Sequence, residues 1–303
     1  VNKMFAPKHK LSMRALVGFT LIELISVIVL MSIVMLGITG FIGTGVQIYV
    51  DATERDQLLG DSRFVIERMN REIRQALPNS IRLAGDVQAH CLEFIPVRWS
   101  TFYEEVPVFP EAASNVLTAV DLVGLGGESY VATADPNDYV VVYATSASQA
   151  YDVSQSSGDS RKFGLASIAN VASSAIATIT LDSSVTFEAD SPFSRLYVVD
   201  ELVVSYCVRE VGGNSGSGTK NIYRHVNVHG VTQQIYKTGG VLMAENVDNA
   251  LSANPLASPG EDDPFRVYDD SLLRNSFTRI LLRFKRNEEI VVFNNEVHIP
   301  NTP

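Results

Sequence analysis

The chain has 303 residues, long enough for two domains, and its 46% hydrophobic and 19% charged content belongs to a folded protein rather than a disordered one. A formal net charge of −10 repels nucleic acid, so no nucleic-acid partner is expected. Two cysteines, Cys91 and Cys207, are too few for a four-cysteine zinc site and too far apart for a CxxC redox pair.

The first eighteen residues carry Lys3, Lys8, Lys10 and Arg14 and no acid, which leaves 20 bases against all 34 acids in the remainder. Val1 in first position points to a start codon other than ATG, or to initiation at Met4 or Met13, and the longer leaders keep more positive charge. From Leu24 to Val50 there is no charged side chain. At about 1.5 Å per residue this stretch exceeds the ~30 Å hydrocarbon core of a bilayer, so as a helix it can span one. Basic residues before the span place the N-terminus in the cytoplasm and everything after residue 50 outside. A conventional secretory signal would have a shorter core and a small-residue cleavage site behind it. The residues that follow, Asp51-Ala52-Thr53-Glu54-Arg55-Asp56, make a poor site of that kind.

The junction ahead of the span reads Gly18-Phe19-Thr20-Leu21-Ile22-Glu23-Leu24. It resembles the class III leader of type IV pilins and of the pseudopilins of type II secretion. The resemblance implies that a prepilin peptidase cuts between Gly18 and Phe19 and methylates the new N-terminus at Phe19. It implies an α+β type IV pilin fold, with a long N-terminal helix packed on an antiparallel β-rich head. It also implies an inner-membrane precursor that passes into a periplasm-spanning or cell-surface pilus. The partners would be major and minor pilins, the prepilin peptidase, an inner-membrane assembly platform and membrane lipid. Glu23 is costly inside a membrane, roughly 2.5–3.5 kcal/mol at mid-bilayer. Either it meets the N-terminal amine of a neighbouring subunit, or it snorkels to the interface. Gly37, Gly40, Gly43 and Gly45 weaken the helix, serving close packing in the membrane or local melting during assembly.

Beyond the span, Leu58, Leu59, Val65, Ile66, Met69, Ile73, Ala76 and Leu77 recur at three- and four-residue intervals, with charged residues on the other faces. The helix is expected to run from residue 19 to 77, about 88 Å, and to end at Pro78-Asn79. Residues 1–18 are then a leader, 19–77 the helix (19–50 transmembrane) and 78–303 the head. In the head, strands are expected at Cys91–Val97, Tyr139–Tyr143, Ala177–Leu181, Leu196–Val199, Leu202–Val208, Ile222–Val226, Arg279–Phe284 and Ile290–Phe293. Arg195–Asp200 and Glu201–Arg209 are nearly continuous and read as one bulged strand. Residues 100–135 and 145–175 read as insertions with short elements, and 212–218 and 252–264 as loops. Cys91 and Cys207 lie in strand-like runs; one structural disulfide is expected in an exported protein, with two buried free thiols as the alternative.

A head this large suits a filament tip better than a tiled shaft. Leu242–Val247, Arg274–Lys285 and the ending Glu296–Pro303 resemble minor pilins of the mannose-sensitive haemagglutinin (MSHA) pilus and, more distantly, the large J-type pseudopilins. The resemblance implies a non-catalytic subunit for pilus priming, tip assembly or adhesion. The alternatives are a secretion pseudopilin and a tip adhesin for glycan or surface ligands, for which Trp99, Phe102 and Tyr103 are equally candidate core or candidate contact residues. No enzyme, cofactor or metal is expected. His225 and His229 have zinc-like i, i+4 spacing, but their run alternates as a strand and would hold them roughly 13 Å apart. The acidic groups Asp135-Pro136-Asn137-Asp138, Glu261-Asp262-Asp263 and Asp269-Asp270 lack the EF-hand pattern and read as solvated turns.

Overall fold

The computed structural model describes residues 18–121, 134–135, 137–152, 160–170, 175–211, 219–268, 277–287 and 289–299. The leader to residue 17, the 212–218 loop, Pro136, Asp269-Asp270 and residues 300–303 therefore lie outside the described residues. Two compact units meet between Glu54 and Arg55. The first holds most of a 53-residue helix, α1 (Leu21–Ile73), and every residue from 18 to 53 is exposed. Its uncharged run makes α1 long and apolar enough to cross a membrane.

In the second unit the same helix turns amphipathic. Leu58, Val65, Ile66, Met69 and Ile73 are buried on one stripe, as their spacing predicts. Ser62 shares that stripe, its hydroxyl satisfied by donating to the Leu58 carbonyl at 2.6 Å. The helix stops at Ile73, four residues short of the expected end. The residue before a proline avoids the helical region, and the backbone released ahead of Pro78 finds new partners. Leu77 N–H donates to the Ile95 carbonyl at 2.8 Å, and Val97 N–H to the Gln75 carbonyl at 2.9 Å.

The remaining elements are β1 (Arg82–Gly85), β2 (Ala89–Phe94), β3 (Val97–Glu105), β4 (Ser114–Val120), β5 (Tyr139–Val142), α2 (Ala147–Tyr151), β6 (Lys162–Asn170), β7 (Ile176–Val185), β8 (Arg195–Val199), β9 (Leu202–Glu210), β10 (Lys220–Val228), β11 (Val241–Val247), β12 (Phe265–Tyr268), β13 (Phe277–Arg286) and β14 (Glu289–His298). They build two bodies, every strand pairing within them antiparallel. One is a sheet in the order β1-β2-β9-β10-β11-β13-β12, with β14 on β13. Its core joins the α1 stripe to Leu92, Phe94, Val204, Tyr206, Val208, Ile222, Ile280, Leu282 and Phe284. The other is a closed barrel, β3-β4-β7-β6-β5-β8, filled by Trp99, Tyr103, Leu117, Phe163, Ile179, Leu181, Phe187 and Leu196 among others.

The fold class is thus α+β, with a long apolar N-terminal helix and an antiparallel β-rich head, but two readings need correction. Arg195–Asp200 and Glu201–Arg209 do not form one bulged strand. The first is β8 of the barrel and the second becomes β9 of the sheet. They part at Asp200, whose carboxylate accepts from Leu202 N–H in a tight turn. The segments read as insertions with short elements instead supply β3, β4 and β6, half of the barrel. Register shifts interrupt β3 and β6, and the β4–β7 pairing skips three residues of β7; in β6 buried Phe163 and Leu165 give way to Ile168, so the inward face changes part-way and the two-residue alternation is lost there.

Every barrel strand lies between β2 and β9, which pair with each other. The barrel is therefore an excursion from a two-stranded ribbon. Leu77, Ile95, Val141, Ala150, Tyr151, Tyr197, Val199 and Val203 form the small core where barrel and sheet meet.

Candidate processing and assembly site

Gly18, Phe19 and Thr20 precede α1 in non-helical, exposed backbone. Thr20 caps the helix: its carbonyl accepts from Glu23 N–H (3.1 Å) and Leu24 N–H (3.2 Å), and its hydroxyl accepts from Glu23 N–H at 3.4 Å. Thr20-Leu21-Ile22-Glu23 is then a Ser/Thr-x-x-Glu capping sequence, a local signal that the reading of Glu23 as a membrane anomaly passed over. An acid in the first turn is also favoured by the positive end of the helix dipole. Glu23 thus has a structural reason to stand where it does, beside any role toward a neighbour. A Cβ built on Gly37, Gly40, Gly43 or Gly45 meets nothing within 4 Å, so none of the described residues packed around them demands glycine there.

In the second unit Cys91 on β2 and Cys207 on β9 are direct cross-strand partners and form a disulfide, with Cα atoms 4.1 Å apart. That separation fits the close, non-hydrogen-bonded position of an antiparallel pair. The segment after β10 folds over the bond. Gln233 donates to the Cys91 carbonyl (2.8 Å), and Arg209 reaches the Gly239 carbonyl (2.7 Å). His225 stacks on Tyr236 with centroids 4.4 Å apart. Gly240, at φ +80°, is required twice over, because a Cβ would also fall 2.6 Å from the His225 ring.

His225 and His229 have different surroundings. His229, just past β10, meets Lys162 and the rings of Tyr139 and Tyr151. Burial pushes both imidazoles down to about 4, helped by the Arg209 charge for His225 and by Lys162 and Arg82 for His229. Among the described residues, no three His, Cys, Asp or Glu side chains gather as a metal site. Two of the acidic turns are tied into the protein rather than merely solvated. Asp138 is buried and takes Arg98 at 2.5 Å, Asp262 takes Arg283 at 2.9 Å, and buried Asp263 accepts from Ser252 and from Gly260 N–H. Trp99 and Tyr103 belong to the barrel core, whereas Phe102 is exposed with the Arg195 guanidinium 5.0 Å from its ring centre.

Two polar clusters were not foreseen. On the last turns of α1, Glu72 accepts from Arg68, Arg224 and the Tyr206 hydroxyl at 2.9–3.0 Å. Burial works to raise its pKa, but these donors outweigh it and hold the carboxyl below its ordinary range. At the barrel's base Lys162 is fully buried. An acid and a base far apart in the chain give no sequence signal that they meet.

Comparison with protein families, with characterised proteins and with solved structures finds no match to this chain.

Proposed function

We propose that this chain is a minor pilin of a type IV, MSHA-like pilus: a non-catalytic subunit that primes the filament, builds its tip or mediates adhesion. The observation that carries the reading is Gly18-Phe19-Thr20-Leu21-Ile22-Glu23 standing directly before a helix whose first 33 residues, to Thr53, are exposed to whatever surrounds the chain. Large apolar side chains exposed on every face, such as Leu36 at 77% and Phe41 at 81%, belong in lipid or against other chains. The bond between Gly18 and Phe19 lies in exposed backbone outside the helix, where a peptidase can reach it. On this reading the precursor sits in the inner membrane, N-terminus in the cytoplasm, with major and minor pilins, the prepilin peptidase, the assembly platform and lipid as partners. A pseudopilin of type II secretion would carry the same junction. The proteins that co-purify, pilus or secretion, separate the two.

The test has two arms. Intact mass of membrane-extracted protein should show a chain beginning at Phe19 with one added methyl group; a start beyond residue 45 would mean ordinary signal cleavage and end the pilin reading. Glu23→Ala should insert and be processed normally, because Gly18 and Phe19 remain and the span becomes more apolar. Its co-purification with the other pilus subunits should fall at equal membrane abundance, and Glu23→Gln should behave likewise. Undiminished incorporation would remove the role of Glu23 in filament register and leave only its place in the helix cap.

A further inference from the structure

Lys162 opens β6 of the barrel and has no exposed surface. Its ammonium nitrogen lies 2.7 Å from His229 Nε2, on the segment that follows β10 of the sheet, and 4.6 Å from the centre of the Tyr139 ring on β5. The bond therefore crosses from barrel to sheet. Around it stand Tyr151 of α2, with its ring centre 6.2 Å from that of His229, and Arg82 of β1, whose guanidinium lies 3.5 Å from the Tyr151 ring centre. Arg82 is bound to buried Glu93 of β2, which also accepts from Ser205 of β9. Arg82 further donates to the Gly230 and Val231 carbonyls, and the Glu201 carbonyl accepts from His229 N–H. The acids whose charge reaches the pair are Asp152, after α2, and Asp200, before β9. Glu93 is engaged by Arg82 and Ser205.

We propose that Lys162 and His229 form a proton-operated latch between barrel and sheet. The latch is closed while His229 Nε2 is bare and accepts from Lys162. A second proton on the imidazole removes that acceptor and sets two cations face to face beside Arg82, with Glu93 already occupied. The contact then loosens, since a buried charge without a partner is held only at high cost. The direction is fixed by burial, which lowers Lys162 to about 7 and His229 to about 4. A base whose folded pKa is depressed makes the open state the better proton acceptor. The closed state therefore loses ground twice as pH falls: from about 10.5 to about 7 as Lys162 charges, and from about 6.5 to about 4 as His229 does.

Hydrogen exchange on the full chain in detergent micelles, near pH 7.5 and near pH 4.5 and corrected for intrinsic rates, reads the latch. In the wild type, exchange in β5, at residues 160–165 and at residues 229–231 should speed up by on the order of tenfold to a hundredfold at the lower pH, with β13 and β14 little changed. His229→Gln keeps an acceptor for Lys162 but cannot titrate, and should abolish that local acceleration. Lys162→Met keeps the stem and removes the amine, and should reduce it by about tenfold. Equal protection at both pH values in the wild type, or full acceleration in either variant, would overturn the latch. Should Lys162→Met not fold, His229→Gln decides alone.

Discussion

The two stretches of α1 share a helix and little else. From residue 21 to 53 every side chain is exposed among the described residues, although Leu, Ile, Val and Met dominate. From Leu58 to Ile73 the apolar residues withdraw to one stripe, and the sheet covers it. Uniform apolarity is written for a surrounding of lipid or other chains, and a stripe is written for the protein's own core. Helix propensity favours the second stretch, since the first holds Gly37, Gly40, Gly43 and Gly45, but the number of apolar faces is what sets their surroundings apart.

The comparison can be broken in three ways. The largest effect should come from cutting the bond within the sheet that covers the second stretch. Cys91→Ser or Cys207→Ser opens a cross-link between residues 116 apart, which in the chain-entropy view stabilises by up to ~4–5 kcal/mol. Urea denaturation followed through Trp99, the one tryptophan, should show similar losses for both variants, with membrane association unchanged. Non-reducing mass mapping that finds both thiols free in exported wild type would remove the premise.

Next come matched methionines. Met69→Ala empties a fully buried site and should lower head stability by about 2–5 kcal/mol. Met35→Ala, at a site 68% exposed, should change it by less than about 0.5 kcal/mol. Equal losses would mean that the first stretch is also packed within the chain.

The smallest effect concerns Glu72, which ties the second stretch to Arg224 and Tyr206. Its carboxyl sits below its ordinary pKa, so its contribution is full at neutral pH. That contribution fades as pH drops below about 4.3 and is gone once the lowered folded value is passed. With the pair still part-exposed, the amount is roughly 1 kcal/mol. Glu72→Gln should flatten acid unfolding by that much, and an unchanged acid limb would show that the network is idle.

Legibility in the sequence followed the same divide. The uncharged run and the GFTLIE junction are local signals, readable without a fold. So were the stretches where alternation holds, such as Ala177–Leu181 of β7, and Ile280, Leu282 and Phe284 of β13, which share the core face. The barrel was missed because β6 changes face midway at its bulge, and because β8 runs almost without a break into β9. The pairing of Cys91 with Cys207 was expected from two cysteines and an exported head, but not its direct register. Glu72 with Arg224, and Lys162 with His229, are far apart in sequence and left no pattern to read.

The ribbon of β2 and β9 has a consequence for how such a head is put together. Chain enters and leaves the barrel on adjacent, disulfide-bonded strands, so residues 97–199 occupy the place that a short turn fills in an ordinary hairpin. A piece whose two ends lie side by side can be inserted, removed or exchanged without rethreading its host. The barrel is in this sense a cassette, plugged into the sheet at one socket, and the sulfur bridge is the clip at its mouth.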